Sequence, residues 1–240
     1  MASQTHLHLL PDAAATTTHE RIGHVVWFSI GGIGSFLVPY VFSNLLGLHH
    51  DLYYLIYFAF VGAFLGAYIR RHDIDVVRFM RVGAWSSVVL GVPISLFLVW
   101  NVLSRDSTPH PDGAYFAFEI AWRGLAYGVI DALMLTAFPA LIAFGLLGDR
   151  LAGIASRLRF AGLVLALTLI ITGTYHLGYE QFREDGIGQP ELGNTLISIP
   201  TMVTGNPVGS ILAHSTMHVT AVTHSYETDV FLPPQTNADE

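Results

Sequence analysis

Long apolar runs separated by short polar segments dominate the pattern along this chain. Each run approaches or exceeds the roughly 20 helical residues needed to cross a hydrocarbon core about 30 Å thick. The predicted spans cover residues 22–46, 52–70, 82–103, 115–147, 158–180 and 193–225. The pattern therefore predicts an all-α fold, a polytopic membrane helical bundle of six transmembrane helices.

Two prolines leave room for a seventh span, because proline lacks the backbone N–H that a continuous helix uses. Pro139 is able to interrupt the fourth run, and the Gly205-Asn206-Pro207 triplet is able to divide the sixth. Outside the predicted transmembrane domain, residues 22–225, we expect flexible tails at 1–21 and 226–240. The number of transmembrane helices, six or seven, is thus left open by the sequence.

Arginine sets the expected orientation, because the chain has no lysine and all eleven basic residues are arginine. Arginines cluster between spans two and three and between spans four and five, whereas the alternate loops carry only Arg105 and Arg183. The positive-inside rule makes the arginine-rich loops cytoplasmic. The N-terminus is then cytoplasmic, and the C-terminus is cytoplasmic with six spans and outside with seven. We predict an integral protein of a bacterial or archaeal inner membrane.

Composition agrees with a membrane protein and excludes several kinds of site. Charged residues make up 12% of the chain, whereas a soluble domain carries about 25%. The absence of cysteine excludes disulfides, thiolate metal sites and iron–sulfur clusters, and the absence of lysine excludes a retinal Schiff base. The net charge of −7, most of it in the tails and in residues 180–191, suggests neither nucleic acid nor anionic lipid as a partner, and the apolar spans make the lipid bilayer the expected partner. The oligomeric state stays unknown.

Small residues four apart occur in two of the predicted spans. Gly62 and Gly66 lie in the second, and Gly124 and Gly128 lie in the fourth. This spacing lets the backbones of two membrane helices approach closely. We expect these glycines to serve helix packing and no chemistry.

The fourth span carries a stripe of polar side chains. Glu119, Arg123, Tyr127 and Asp131 recur every four residues, so they fall within about 120° of arc on one helical face. Polar groups inside lipid are costly and turn toward each other or toward a wet cavity. Glu119 and Arg123 can also form a purely structural ion pair, but Asp131 has no such partner in its own helix.

A second stripe ends the fifth span, where Thr168, Thr172, His176 and Glu180 again recur every four residues. One helical turn places the His176 imidazole and the Glu180 carboxylate where both can bind one metal ion. The alternative is that Glu180 lies among the lipid head groups and only hydrogen-bonds His176.

The last span gives a third stripe, Asn206, Ser210, His214 and His218. His-x-x-x-His on a helix brings both rings to one side and is typical of metal sites. Buried histidines satisfied by hydroxyl groups are the alternative. His224 points away from this face and lies close to the membrane end.

Together, the stripes predict an intramembrane metal site. The candidate metal ligands are His176, Glu180, His214 and His218. Imidazoles with a carboxylate suit a divalent transition metal, with zinc preferred. Zinc with an open position lowers the pKa of its bound water to about 7 and supplies hydroxide for hydrolysis.

The three stripes, in this order, resemble the motifs of the CPBP family of intramembrane metalloproteases, also called the Abi or CAAX-protease family. The similarity covers residues 115–225. Its motif segments here are Phe118-Glu119-Ile-Ala-Trp-Arg123-Gly124, Thr172-Gly-Thr-Tyr-His176-Leu177 and His214-Ser-Thr-Met-His218. The chain departs from the family pattern at three positions. Phe118 stands in place of the first glutamate of a pair, Thr172 in place of a phenylalanine, and His218 in place of an asparagine.

The resemblance implies a catalytic group of Glu119, Arg123, His176, His214 and His218. Arg123 would orient Glu119, and His176 and His214 would polarise a water molecule or bind metal. His218 would then stabilise the oxyanion. The implied activity is a metal-dependent hydrolase or protease acting on a peptide or lipid-linked substrate.

Three other functions fit the same residues. Phe118 in place of the family's glutamate favours an inactive relative that serves as a membrane binding or structural subunit. His176 and His214 on different helices could ligate a b-type haem. Asp131, Glu119 and the histidines could also line a proton or ion pathway.

Overall fold

A computed structural model of the chain describes residues 17–148, 151, 153–227 and 231–233. Within these ranges the protein is helical and has no β-strand. Most of both predicted tails lies outside the described residues. The first helix begins at Thr18, four residues before the predicted span, because Thr17 and Glu20 cap it reciprocally.

The described helices follow one another with short connections. In chain order they are α1 (Thr18–Leu45), α2 (His50–Arg71), α3 (Val76–Arg81), α4 (Ala84–Leu103), α5 (Gly113–Leu147), α6 (Ile154–Leu177), α7 (Glu180–Asp185), α8 (Gly188–Thr204) and α9 (Val208–His224). Five of them, α1, α2, α4, α5 and α6, are long and apolar enough to cross a membrane. The predicted all-α membrane bundle is confirmed.

Pro139 does not interrupt α5. The helix widens to a π-helical turn at Leu133–Ala137, which ends two residues before the proline, and continues to Leu147. A widened turn relieves the clash and the missing hydrogen bond that proline causes in a regular α-helix. Pro39 opens a similar π-helical turn, Pro39–Leu45, at the end of α1.

The last predicted span is two helices rather than one. Gly205 adopts a left-handed conformation with φ of 74°, and Pro207 precedes α9. The Asn206 side chain donates hydrogen bonds of 2.9–3.0 Å to the carbonyls of Phe79, Met80 and Val82 at the end of α3. The Gly-Asn-Pro triplet thus makes the turn between α8 and α9, and its asparagine ties that turn to α3.

The two pairs of small residues have different surroundings. A Cβ atom added at Gly124 or Gly128 would lie 3.1 Å or 2.7 Å from the backbone of α9, so these glycines allow α9 to approach α5. The same atom at Gly62 or Gly66 would have no described atom within 4 Å. The expected packing role therefore has a structural basis in α5 but not in α2.

The tightest helix contact is between α4 and α9. A Cβ atom at Gly209 would lie 1.9 Å from the Ser87 carbonyl oxygen, and one at Gly91 would lie 2.5 Å from the Gly209 carbonyl oxygen. Ser87 also accepts a 2.8 Å hydrogen bond from the Gly209 N–H. This contact fixes the start of the helix that carries His214 and His218.

We expect Gly209→Ala to destabilise the protein by about 1–3 kcal/mol, the usual range for overpacking. Its added methyl group has no room beside the α4 backbone. Gly66→Ala is the matched control, because its methyl group meets open space and we expect no loss. Thermal unfolding of both variants in the same detergent measures the difference, and equal melting temperatures would contradict this account of the contact.

Candidate functional site

A buried cluster of Asp131, His214 and His218, named here the Asp–His cluster, lies where α5 meets α9. Each residue offers one ligand atom, and these atoms lie within 4.8 Å of one another. The His214 Nε2 atom is 3.2 Å from Asp131 Oδ2, and the two imidazole rings stack with centroids 4.8 Å apart. All three residues are at most 4% exposed.

The helices around the cluster hold its members in place. Tyr57 of α2 donates a 2.7 Å hydrogen bond to Asp131 Oδ1, so both carboxylate oxygens have a neighbour. Tyr127 meets the His218 ring edge-on, with centroids 4.8 Å apart. Contacts from α2, α5 and α9 thereby hold the carboxylate and the two imidazole rings in place.

Three nitrogen atoms of the cluster are buried without a hydrogen-bond partner among the described residues. They are His214 Nδ1 and both ring nitrogens of His218. The backbone of Phe231 comes near His218 but makes no regular hydrogen bond with it. Buried polar atoms are nearly always paired, so each exception calls for an explanation. A bound metal ion is one such explanation, because imidazole nitrogens are metal ligands.

A cavity of about 350 Å³ adjoins the cluster. Its size lies within the range of small-molecule sites in proteins. It is lined by residues of α4, α5, α6, α7, α8 and α9, together with residues 231–233. Its polar lining includes Asp131, His214, His218, His176, Tyr175 and Asn194. A molecule in this cavity can therefore reach the Asp–His cluster.

A network of tyrosine hydroxyls lies beside the cavity. Tyr175 bonds to Tyr127 at 2.8 Å and to Tyr179 at 2.7 Å, and Tyr53 bonds to both Tyr175 and Tyr179. These four side chains are at most 3% exposed. The sequence-based reasoning missed Tyr53 and Tyr57, although tyrosines four apart within an apolar span were a signal that they share a buried face.

The two metal ligands predicted at the end of the fifth span, His176 and Glu180, lie in different surroundings. His176 lines the cavity, but its Nδ1 atom bonds to the Thr172 carbonyl and the residue lies outside the Asp–His cluster. Glu180 is exposed and does not join the cluster. The reason is that α6 ends at Leu177 and an extended Tyr179 precedes Glu180, so the expected i,i+4 pairing on one helix does not form.

Glu119 and Arg123 are fully buried, but they do not line the cavity. Glu119 Oε2 accepts a 2.9 Å hydrogen bond from the Tyr226 hydroxyl and lies 3.4 Å from His50 Nε2. The Arg123 guanidinium lies over the Tyr226 ring, 4.6 Å from its centroid. The polar stripe on α5 is therefore divided into two separate sites. Glu119 and Arg123 contact Tyr226, whereas Asp131 contacts His214. Glu119 lies 12 residues before Asp131, which is about three turns along the helix, since Ile120–Ala126 forms wider π-helical turns.

Comparison of the chain with protein-family models, curated proteins and solved structures finds no match. The resemblance to intramembrane metalloproteases therefore stays a prediction. The resemblance implies that Glu119, His176 and His214 surround one water molecule. In this structure His176 and His214 share a cavity, whereas Glu119 belongs to the group around Tyr226.

We expect Tyr226→Phe to destabilise the protein by about 1–3 kcal/mol, because it removes a hydrogen bond from a buried carboxylate. The phenyl ring remains beneath Arg123. Tyr40→Phe is the control, since the Tyr40 hydroxyl makes no hydrogen bond among the described residues. Chemical unfolding in detergent measures both variants. A Tyr226→Phe protein as stable as the control would show that Glu119 does not depend on this bond.

Proposed function

We propose that this protein is a membrane-embedded, metal-dependent hydrolase whose metal ligands are Asp131, His214 and His218. The observation that carries the proposal is the Asp–His cluster itself. It combines a carboxylate with three unpaired imidazole nitrogens, buried beside a cavity of about 350 Å³. A purely structural histidine pair would be expected to satisfy these nitrogens.

The ligand set matches the chemistry of a catalytic metal. Two imidazoles and one carboxylate suit zinc or another divalent transition metal and leave a coordination position for water. Zinc is the preferred ion for hydrolysis, because it lowers the pKa of bound water to about 7. His176 lines the same cavity, where it can contact a substrate rather than the metal.

The surroundings supply the supporting interactions that such a site needs. Tyr57 orients Asp131, as outer hydrogen bonds do for ligating carboxylates. Tyr127 and Tyr175 line the cavity, and either hydroxyl group would donate to a developing oxyanion on exchanging its hydrogen bond within the tyrosine network. The reaction we propose is attack of an activated water on the carbonyl of an ester or amide.

Geometry also argues against a haem held by His214 and His218, which is a different pair from the His176 and His214 that the sequence suggested as haem ligands. The rings of His214 and His218 lie on one helix and stack at an interplanar angle of 17°. Axial haem ligands approach the iron from opposite faces, which two stacked rings on one turn cannot do. A shared metal ion at the ring edges fits this arrangement better.

We expect purified wild-type protein to hold one zinc or similar ion per chain, and His214→Ala and Asp131→Asn to lose it. His224→Ala on the same helix and Glu180→Gln are matched controls, because neither residue belongs to the cluster. Elemental analysis after detergent purification measures the content. A wild-type protein without metal, or variants that keep it, would contradict the proposed site.

Hydrolytic activity is the second measurement that tests the proposed function. Wild-type protein reconstituted with zinc should release product from ester or amide substrates, and His218→Ala should not. Bound metal without hydrolysis would favour a binding or structural subunit. Ion flux in proteoliposomes without hydrolysis would favour the pathway interpretation.

We expect Tyr57→Phe to weaken metal affinity by about 10–100-fold, the usual effect of losing an outer hydrogen bond to a ligand. Tyr54→Phe is a comparison on the same helix, since the Tyr54 hydroxyl does not bond to Asp131. Competition with a metal-binding dye measures both affinities. Unchanged affinity in Tyr57→Phe would show that this tyrosine does not support the metal ligand.

A further inference from the structure

One side of the cavity opens on an apolar outer surface of the helical bundle. Phe97 of α4 and Leu192 of α8 line the cavity, yet they are 46% and 64% exposed. In a membrane bundle, exposed apolar side chains of this kind face acyl chains rather than water. The opening between α4 and α8 is therefore directed toward the hydrocarbon region of the bilayer.

The cavity wall combines polar and apolar side chains. Beside the polar groups of the Asp–His cluster the wall carries many apolar side chains, with Leu98, Leu135, Ile197 and Met217 among its lining residues. Such a wall stabilises a hydrocarbon chain and leaves the amide groups of an extended peptide unpaired. This favours an acyl chain as the occupant.

Polar groups also line the cavity, about one helical turn from Phe97 and Leu192. Asn101, Arg105 and Gln189 line it, and Arg105 and Gln189 are exposed. The Arg105 side chain makes no ion pair with any residue that the structure describes. It follows the end of α4, which the arginine distribution predicts to be the outer end. A cation at this position attracts an anionic lipid head group.

The depth of the cluster fits a lipid ester. His50 begins α2, and Tyr57, which bonds to Asp131, lies seven residues or about 10 Å further along the helix. His218 lies six residues, or about 9 Å, before the end of α9. The cluster is thus about two turns below the same face of the bundle as Arg105.

From these observations we infer that the substrate is an acyl lipid with an anionic head group. It enters the cavity from the outer leaflet between α4 and α8. This inference rests on the proposed hydrolase function for its reaction but not for its binding. In the reaction, the water oxygen bonds to the acyl carbon, the ester C–O bond breaks, and a water proton passes to the leaving alcohol oxygen. The products are a fatty acid and an alcohol that keeps the head group.

The test of entry uses two glycine variants. Gly193 lines the cavity and Gly162 lies exposed on α6, and a Cβ atom at either position would have no described atom within 4 Å. The space for a Cβ atom favours folding of both variants, Gly193→Trp and Gly162→Trp, which thermal unfolding in detergent checks before labelling. Only the first places an indole at the cavity, where it competes with an acyl chain for space.

The probe is phosphatidylglycerol with a diazirine in its acyl chain, in phosphatidylcholine vesicles that contain the full-length protein. After illumination, mass spectrometry should find the label on α4 and α8 of the wild type. We expect Gly193→Trp to reduce this labelling by about tenfold, because a filled cavity excludes the chain, and Gly162→Trp to leave it unchanged. Equal labelling of the two variants would overturn the inference, as would preferential labelling by an apolar diazirine peptide.

The head group is tested with Arg105→Gln. We expect it to lower labelling by the phosphatidylglycerol probe about threefold, the scale of one exposed ion pair, and to leave a phosphatidylcholine probe unaffected. Equal labelling of wild type by both probes would overturn the anionic head group. Labelling that depends on Gly193 without fatty-acid release would retain the entry site and refute the hydrolase. Fatty-acid release with labelling that is insensitive to Gly193→Trp would refute only the entry site.

Discussion

The burial of one carboxylate within the bundle constrains how its helices meet. An ionisable side chain at the centre of a membrane helix costs about 2.5–3.5 kcal/mol on insertion scales unless it finds partners. Asp131 is 2% exposed and has two, the Tyr57 hydroxyl at 2.7 Å and His214 Nε2 at 3.2 Å. Those partners lie on α2 and α9. Satisfying Asp131 therefore brings α2, α5 and α9 together at one depth.

Close backbone approach makes this arrangement possible. Gly128 faces Ser215 on α9, where a Cβ atom would lie 2.7 Å from the serine Cα atom. His214 and His218 flank that contact, so the same glycine that admits α9 also brings their rings to Asp131. On the other side of α9, Gly209 packs against α4. Small residues at these helix crossings set the geometry of the candidate metal site.

Much of the site was predictable from residue spacing, and its limits have physical causes. The one-turn spacing of His214 and His218 predicted a shared face, and Asp131 was recognised on the polar stripe of its helix but was not among the predicted metal ligands. Glu180 was expected beside His176, but α6 ends before it. Glu119 was expected in one site with His214 and His218, although about three helical turns of α5 separate it from Asp131, which lies beside His214. The prediction used only the angular position of each residue around the helix, and that angle carries no information about distance along the helix axis.

The sequence by itself determined that the chain forms a bundle of membrane helices, because apolar length and scarce charge leave lipid as the only suitable solvent for these segments. It also determined which faces are polar, since helical periodicity depends only on residue order. Only the tertiary structure decided which polar faces meet. That choice depends on where helices cross and at what depth, as with Tyr57 and Asp131, 74 residues apart in the chain. Spacing within a single helix carries no information about such a pair.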